Sequence, residues 1–144
     1  MGVVDHANYF SALSDKKVCQ FIMKNGDPQA ITNIATAFSH LGVVDHANYF
    51  LALSDNMSVV NEGDSQIHCN CLWSFACLGL LDNKVYESII TSLWKKAMSM
   101  PVSEFTAEVL NQLRQIYTFS SIEGVSLKLD EIPSDLKAKI NSMS

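Results

Sequence analysis

The sequence predicts an all-α protein, and three observations support that prediction. Apolar residues return at spacings of three and four along most of the chain, without sustained alternation of period two. Alanine, leucine and methionine are frequent, and helix breakers stand at only a few points. The sequence also repeats itself with a period typical of stacked helix pairs. We therefore expect a short α-solenoid of stacked antiparallel helix hairpins.

The repeat has a period of 37 residues, because residues 26–50 align without a gap on residues 63–87. Helices that cannot bury their apolar stripes alone must stack on neighbouring units. We expect a single domain, residues 1–144, with a partial unit 1–25, a unit 26–62, a unit 63–100 and a C-terminal unit 101–144. The first copy carries the shared residues Gly26, Asp27, Gln29, Asn33, Phe38, Leu41, Gly42, Asp45 and Tyr49.

Each unit has its own start and stop signals. In unit 26–62, Asp27 is expected to cap the first helix, which runs to about His40. Gly42 then ends that helix in a left-handed conformation, and Asp45 starts the second helix. In unit 63–100 the corresponding residues are Asp64, Cys77, Gly79 and Asp82.

Apolar stripes define the expected core. The first helix of unit 26–62 should bury Ile31, Ile34, Ala35 and Phe38, and the second should bury Ala47, Phe50, Leu51 and Leu53. The first helix of the next unit should bury Cys69, Leu72, Trp73, Phe75 and Ala76. In the C-terminal unit, Ser103 is a possible cap for a helix that buries Val109, Leu110, Leu113, Ile116 and Tyr117. A looser segment, 125–133, precedes a last helix from about Ser134, with Ser134 or Asp135 near its cap.

A second, nearly identical duplication overlaps this repeat. Residues 2–15 and 42–55 differ only where Ser11 stands against Leu51. This identity exceeds what packing requires, since surface positions such as Asn8 and Asn48 are also kept. A recent duplication, or an error in assembling the coding sequence, explains the excess, and we attach no function to it.

Charge and composition exclude several classes of protein. At 144 residues with 48% hydrophobic residues, the chain is long enough for one packed domain. No run reaches the roughly 20 apolar residues of a membrane span, so we expect none. A net charge of −5 removes the general basic field of most nucleic-acid-binding proteins, so any RNA contact must be local. Three of the four cysteines crowd into one predicted helix, which favours a reducing compartment over disulfides.

No catalytic or metal-binding pattern is found. Cys69 and Cys71 would point roughly 160 degrees apart on a helix, so they cannot hold one ion together with His68. Adjacent pairs such as Asp45 and His46 do not face each other on a helix. We therefore expect a protein that is not an enzyme and has no catalytic residue, metal site or cofactor.

Two asparagines are candidates for binding. Asn33 and Asn70 stand in the middle of predicted helices, one period apart, where helix propensity does not favour asparagine. Amide side chains repeated on successive helices read RNA bases in helical-repeat proteins. The alternative is that they brace a neighbouring turn. Trp73 could stack on a base or lie in the core. The candidate RNA-binding residues are Asn33, Asn70, Gln29, Gln66, Lys95, Lys96 and Arg114.

The segment DSQIHCNCLWSFACLGLLD resembles the repeat helix of organellar helical-repeat proteins. These are the heptatricopeptide and octotricopeptide families and the FAST-kinase-like proteins, many of which end in a RAP domain. The matching residues are Gln66, Asn70, Leu72, Trp73, Phe75 and Gly79. AEVLNQLRQIYTF resembles the helix that often follows the last repeat. The similarity spans roughly residues 18–142, but the first unit carries Ile34, Ala35 and Thr36 where Leu and Trp are typical, and no RAP domain is present.

The resemblance implies an RNA-associated subunit of an organellar ribonucleoprotein, such as a structural component of a divergent mitochondrial ribosome. Its partners would be ribosomal RNA or an organellar transcript, together with neighbouring protein subunits of a larger assembly. The implied location is the mitochondrion, with the plastid as the alternative. The alternative function is a protein-only scaffold or adaptor that grips a helix or tail of a partner, which the acidic balance favours.

Overall fold

The structure is a computed structural model, and it describes residues 15–41, 46–120 and 132–142. In those ranges all regular structure is helical and no strand occurs, which confirms the all-α prediction. Two short 3₁₀ helices, Lys84–Tyr86 and Val102–Glu104, stand among the α-helices. The α-helices are α1 (Lys16–Asn25), α2 (Pro28–Leu41), α3 (Ala47–Ser54), α4 (Met57–Glu62), α5 (Ser65–Cys77), α6 (Glu87–Met98), α7 (Ala107–Ser120) and α8 (Ser134–Asn141).

The predicted caps of α2 and α5 are confirmed. The Asp27 carboxylate accepts a hydrogen bond from the Ala30 amide at 2.7 Å, and the Asp64 carboxylate accepts one from the Ile67 amide at 2.9 Å. Each bond satisfies a backbone donor that the first turn of a helix leaves without a partner. The two helices also end where predicted, at Leu41 and Cys77.

Gly79 ends α5 as expected. Its φ is +71°, in the left-handed region that glycine adopts without a steric penalty. This conformation lets the Leu80 amide donate to the Phe75 carbonyl at 2.9 Å, which closes the C-terminal turn. The corresponding predictions for Gly42 and Asp45 lie outside the described residues.

Two predicted helix starts are wrong. Asp82 does not start the second helix of its unit, because Asn83 caps a 3₁₀ turn by accepting from the Val85 amide at 3.0 Å, and α6 begins only at Glu87. Ser103 does not cap α7, because it lies inside the 3₁₀ turn that follows Pro101. In its place, the Thr106 hydroxyl accepts from the Val109 amide at 3.3 Å.

The second helix of unit 26–62 is broken into α3 and α4. The Asn56 amide oxygen accepts from the Ser58 amide at 3.2 Å and caps α4 after the break. Phe50 and Leu53 are fully buried as predicted. The prediction is wrong for Ala47, which is exposed, and for Leu51, which is 41% exposed, because these two residues lie one turn apart on the opposite side of α3.

Most of the predicted core of α2, α5 and α7 is confirmed. These helices bury residues at spacings of three and four, and three predicted members, Ile34, Trp73 and Tyr117, are only half-buried. Tyr117 stacks on Trp94 of α6, with ring centroids 6.2 Å apart. The confirmed core residues are Ile31, Ala35, Phe38, Cys69, Leu72, Phe75, Ala76, Val109, Leu110, Leu113 and Ile116.

Aromatic rings join the helices at the centre of the core. Phe38 of α2 lies 5.2 Å from Tyr49 of α3, whose hydroxyl donates to the Ile31 carbonyl at 2.7 Å. Phe50 of α3 lies 5.2 Å from Phe75 of α5. Buried aromatic pairs of this kind contribute about 0.5–1.5 kcal/mol beyond the area that they bury, so these pairs stabilise the packing of α3 against α2 and α5.

Helix α5 is the central element. It contacts α2, α6 and α7, whereas α1 packs on α3, α4 on α6, and α8 on α7. The Ser39 hydroxyl of α2 donates to the Ser74 carbonyl of α5 at 3.1 Å. The last helix begins at Ser134 as predicted, and the Lys139 ammonium donates to the carbonyls of Val102 and Phe105. The longest of these helices have 14 residues, and none in the described ranges could cross a bilayer.

Candidate functional site

Three asparagines occupy the same register on α2, α5 and α7. Asn33 and Asn70 are 37 residues apart, and Asn70 and Asn111 are 41 residues apart. The second spacing also aligns the buried pairs Leu72 with Leu113 and Phe75 with Ile116. Sequence reasoning missed Asn111, although this 41-residue alignment of apolar residues could have identified it.

The exposed sides of these helices are linked at the surface. The Trp73 indole N–H of α5 donates to the amide oxygen of Gln115 on α7 at 2.9 Å. On its other side, the Trp73 ring lies 4.9 Å from the imidazole of His40 on α2. We name the surface that these residues share the amide face; its members are Asn33, Thr36, His40, Asn70, Trp73, Asn111 and Arg114.

Asn70 both faces this surface and braces the fold. Its amide oxygen accepts from the Gln112 side-chain nitrogen of α7 at 2.8 Å, and the residue is half-buried. At least the amide oxygen of Asn70 therefore braces a neighbouring helix, as the alternative interpretation of this residue expects. Asn33, at the same register on α2, is exposed. Of the two asparagines chosen from the sequence, Asn33 is thus the more accessible to a ligand.

Trp73 is neither a fully buried core residue nor a freely projecting one. It is half-buried, its indole N–H is bonded to Gln115, and its ring lies beside His40. This arrangement holds the indole ring in a defined orientation at the surface. A ring of this kind can stack on a nucleic-acid base without further ordering of its side chain.

The other predicted site residues divide into two groups. Gln29 and Gln66 are exposed one turn before Asn33 and Asn70, on the same sides of α2 and α5. Arg114 is exposed on α7, and its guanidinium donates to the Asn111 amide oxygen at 2.7 Å. These three residues therefore lie on or beside the amide face.

Lys95 and Lys96 lie elsewhere. They are exposed near the end of α6, whose buried side contains Ile90, Leu93 and Trp94. Because α6 packs against the buried side of α5, the two lysines project from a different side of the protein than Asn70 does. Lys16 and Lys17, in the first turn of α1, do not approach the amide face through any described contact.

The buried thiols of Cys69 and Cys71 are held in the protonated form at neutral pH. Burial raises the pKa of both Cys69 and Cys71 to about 12, with a smaller contribution from Asp64 for Cys69. A metal ligand must be a thiolate, so protonated, buried thiols are poor ligands. Within residues 15–41, 46–120 and 132–142, no three His, Cys, Asp or Glu side chains gather in a group that could hold a metal ion.

Comparison with known proteins adds no relative. No family model, curated protein or solved structure matches this chain. The resemblance to the organellar helical-repeat families therefore depends on the residues of the sequence alone, and it stays a prediction.

Proposed function

We propose that the chain is an RNA-associated helical-repeat subunit of an organellar ribonucleoprotein, and that it has a structural role rather than an enzymatic one. The observation that carries the proposal is the common register of Asn33, Asn70 and Asn111 on three helices in succession. A structural part of a divergent mitochondrial ribosome would have such a role. The organellar location follows from the sequence resemblance.

The helix contacts support a solenoid of stacked hairpins. α2 contacts α5 and α5 contacts α7, and we propose that these three helices form one layer and that α3, α4 and α6 form the other. Each unit also begins with a glycine that ends the preceding helix. Gly26 ends α1 with φ −79° and ψ 151°, and Gly63 ends α4 with φ −75° and ψ 156°. An added Cβ would lie 2.8 Å from the Ile22 carbonyl and 2.7 Å from the Val59 carbonyl, respectively. The same glycine helix ending, with the glycine Cα packed close to a carbonyl of the last turn, therefore recurs one period apart.

The amide face has both kinds of group that bind single-stranded RNA bases, namely hydrogen-bonding amides and planar groups for stacking. Asparagine amides can both donate to and accept from base edges, and Trp73 and Arg114 have planar groups on which bases stack. Base stacking on an aromatic side chain contributes about 1–3 kcal/mol per base. We therefore propose that Asn33 and Asn111 contact base edges, with a base stacked beside Trp73.

The charges of this face predict weak dependence on salt. Arg114 is the single member of the amide face with a permanent charge, so few phosphates would be neutralised there. Each neutralised phosphate contributes roughly −0.7 to the slope of log affinity against log salt for single strands. We expect a slope near that of one contact, so affinity for free RNA would be modest and neighbouring subunits would supply the rest.

A binding titration tests this proposal. Fluorescence anisotropy would follow a labelled single-stranded RNA of mixed sequence added to the purified chain. The double variant Asn33→Ala, Arg114→Ala should bind roughly tenfold more weakly, since it loses hydrogen bonds to the bases that contribute about 0.5–1.5 kcal/mol each. The matched control is Lys95→Ala, Lys96→Ala, which removes two positive charges away from the amide face and should bind like the wild type. Equal loss in both variants would show nonspecific electrostatic attraction and would refute the proposed surface.

The second candidate is a protein-only scaffold, and the position of the lysines favours it. Lys95 and Lys96 lie on the exposed side of α6, which packs on the buried side of α5, so they do not gather beside Asn70. A scaffold would stay with its partners after nuclease treatment of the native complex, whereas an RNA-held subunit would be released. Purification from the native source with and without nuclease separates the two functions.

A further inference from the structure

A cavity lies between α7 and α8, beside the amide face. Its volume is about 200 Å³, several times the roughly 30 Å³ that one water molecule occupies in the liquid, so it can hold a small polyatomic group. Each helix lines it with residues at positions i, i+3 and i+4: Arg114, Tyr117 and Thr118 on α7, and Lys137, Ile140 and Asn141 on α8. We name it the α7–α8 cavity.

The α7–α8 cavity is positively charged. Arg114 and Lys137 line it, one from each helix, and none of the described residues that line it carries a carboxylate. A guanidinium and an ammonium both form strong hydrogen bonds to anionic oxygens, and each has more than one N–H donor. An anion inside the cavity would therefore have two positive partners.

Other contacts hold the walls of the cavity in place. The Lys139 ammonium donates to two backbone carbonyls that precede α7, so it anchors α8. Lys137 stands two residues earlier, about 200 degrees around the helix, so it lies away from that anchor. The Arg114 guanidinium donates to the Asn111 amide oxygen at 2.7 Å, which orients the guanidinium and uses one of its five N–H donors. A ligand would thus meet a cavity that is already formed.

We propose that the α7–α8 cavity binds the 5′-terminal phosphate of the RNA whose bases contact the amide face. A terminal phosphate monoester carries about −1.5 to −2 charges at pH 7, whereas a phosphate inside a strand carries one. The terminal phosphate therefore matches two cations better. This inference rests on the proposed function, because Arg114 belongs both to the amide face and to the cavity.

The apolar part of the wall also favours a strand end. Ile140 is 7% exposed and Ile132 is half-buried, and both line the cavity. A strand end enters such a partly closed space from one side, whereas an internal phosphate needs room for the nucleotides on both of its sides. A free nucleotide carries the same terminal group, so it is the second source of this chemistry.

Residues 121–131 are the alternative occupant from within the chain. They join α7 to the residues that precede α8, and they include Glu123, Asp130 and Glu131. A carboxylate of this segment would compete with phosphate for the two cations of the cavity. The triple variant Glu123→Gln, Asp130→Asn, Glu131→Gln removes these carboxylates and so separates the two occupants.

Two RNAs of the same sequence test the inference, one with a 5′ phosphate and one with a 5′ hydroxyl. Each is labelled at its 3′ end, and fluorescence anisotropy measures its affinity for the full chain. The wild type should bind the phosphorylated RNA roughly tenfold more tightly, because hydrogen bonds between charged groups are stronger than neutral ones.

Lys137 is the residue to change, because it lines the cavity and is not a member of the amide face. Lys137→Gln should bind the two RNAs about equally, and Lys137→Arg should retain the preference for the phosphorylated RNA, since it keeps the charge. Lys84→Gln is the matched control, because it removes one positive charge from an exposed residue that does not line the cavity. It should keep the full preference. Lys137 is exposed, so the fold should persist, as circular dichroism would verify.

The outcomes separate this inference from the proposed function. Equal affinity of the wild type for the two RNAs would overturn the phosphate site and leave the proposed function intact, whereas no binding of either RNA would refute both. A preference that appears only in the triple variant would make residues 121–131 the occupant and would overturn an external ligand. Uridine 5′-monophosphate should displace the phosphorylated RNA only at concentrations far above the dissociation constant of that RNA. Displacement at a comparable concentration would make a free nucleotide the ligand and would overturn the assignment to RNA.

Discussion

The α2–α5 junction and the α5–α7 junction lie at the same register of the repeat, but different kinds of side chain meet in them. Between α2 and α5, small hydroxyls meet, and Cys71 and Ser74 are fully buried. Between α5 and α7, long side chains meet near the surface, with Gln112 bonded to Asn70 and Gln115 to Trp73. The repeat therefore sets where helices meet, and the individual residues decide whether packing or hydrogen bonding holds them.

The largest effect is expected at Phe75 of α5, the helix that takes part in both junctions. Phe75 lies in the centre of α5, fully buried against the rings of Phe50 and Tyr86. Phe75→Ala should lower the free energy of unfolding by about 3–5 kcal/mol, because it leaves a cavity in the core. Phe119→Ala is the matched control, since Phe119 is 37% exposed and should cost about 1 kcal/mol or less. Urea denaturation measures both, and similar losses would contradict the central role of α5.

The two junctions should respond differently to a larger apolar side chain. Ser74→Leu places extra volume where α2 meets α5, and overpacking of this kind costs about 1–3 kcal/mol. Gln115→Leu, at the same register on α7, changes an exposed residue and should cost less than about 1 kcal/mol. Thermal denaturation of the two variants compares the junctions directly. A greater loss for Gln115→Leu would show that hydrogen bonding, and not packing, is the stronger of the two.

Alkaline pH should weaken the buried junction. The ordinary pKa of the Cys71 thiol is 9.0, and burial raises it to about 12 in the folded state. The unfolded state therefore loses its proton first as pH rises. Stability from this thiol is complete below pH 9 and should fall by about 1.4 kcal/mol per pH unit between the two pKa values.

Cys71→Ala tests this pH dependence. Between pH 9 and 11, its free energy of unfolding should fall less steeply than that of the wild type, by the slope of one thiol. Cys77→Ala is the comparison variant, because Cys77 is exposed and burial raises the pKa of its thiol less than that of Cys71. Its profile should therefore lie closer to that of the wild type. Parallel pH profiles for wild type and Cys71→Ala would show that the thiol is not buried as the structure has it.

The smallest effect is expected for the hydrogen bond that joins α5 to α7. Asn70→Ala, Gln112→Ala and the double variant form a thermodynamic cycle. The coupling energy should be about 0.5–1.5 kcal/mol, the net contribution of one hydrogen bond between side chains. A coupling near zero would mean that Asn70 does not brace α7, and its amide would then be available to a ligand as Asn33 is.

Much of the fold could be predicted from residues close together in the chain. Asp27 and Asp64 cap helices as expected, because a cap needs only a side-chain oxygen near the next amides. Asp82 fails because Asn83 caps a 3₁₀ turn ahead of α6, and Ser103 fails because Thr106 takes the capping role after another 3₁₀ turn. Local preference alone does not rank such competitors. Ala47 and Leu51 fail because α3 is apolar on more than one side, so its sequence does not say which side faces the core.

The candidate site was predicted in part. The 37-residue repeat selected Asn33 and Asn70, and Arg114 lies on the same surface. Lys95 and Lys96 were grouped with them by charge, but α6 carries these lysines to another side of the protein. Asn111 was missed because it lies 41 residues after Asn70, and a search at the fixed period of 37 residues does not reach it.

The sequence by itself determined the helices, their caps at Asp27 and Asp64, and the register in which asparagine recurs, because all of these follow from periodicity and from contacts within a few residues. Only the tertiary structure decided that α5 lies between α2 and α7 and that Trp73 is fixed between His40 and Gln115. These features depend on which helices meet across long separations in the chain. A helical pattern indicates that one side of a helix must be covered, but it does not identify what covers it.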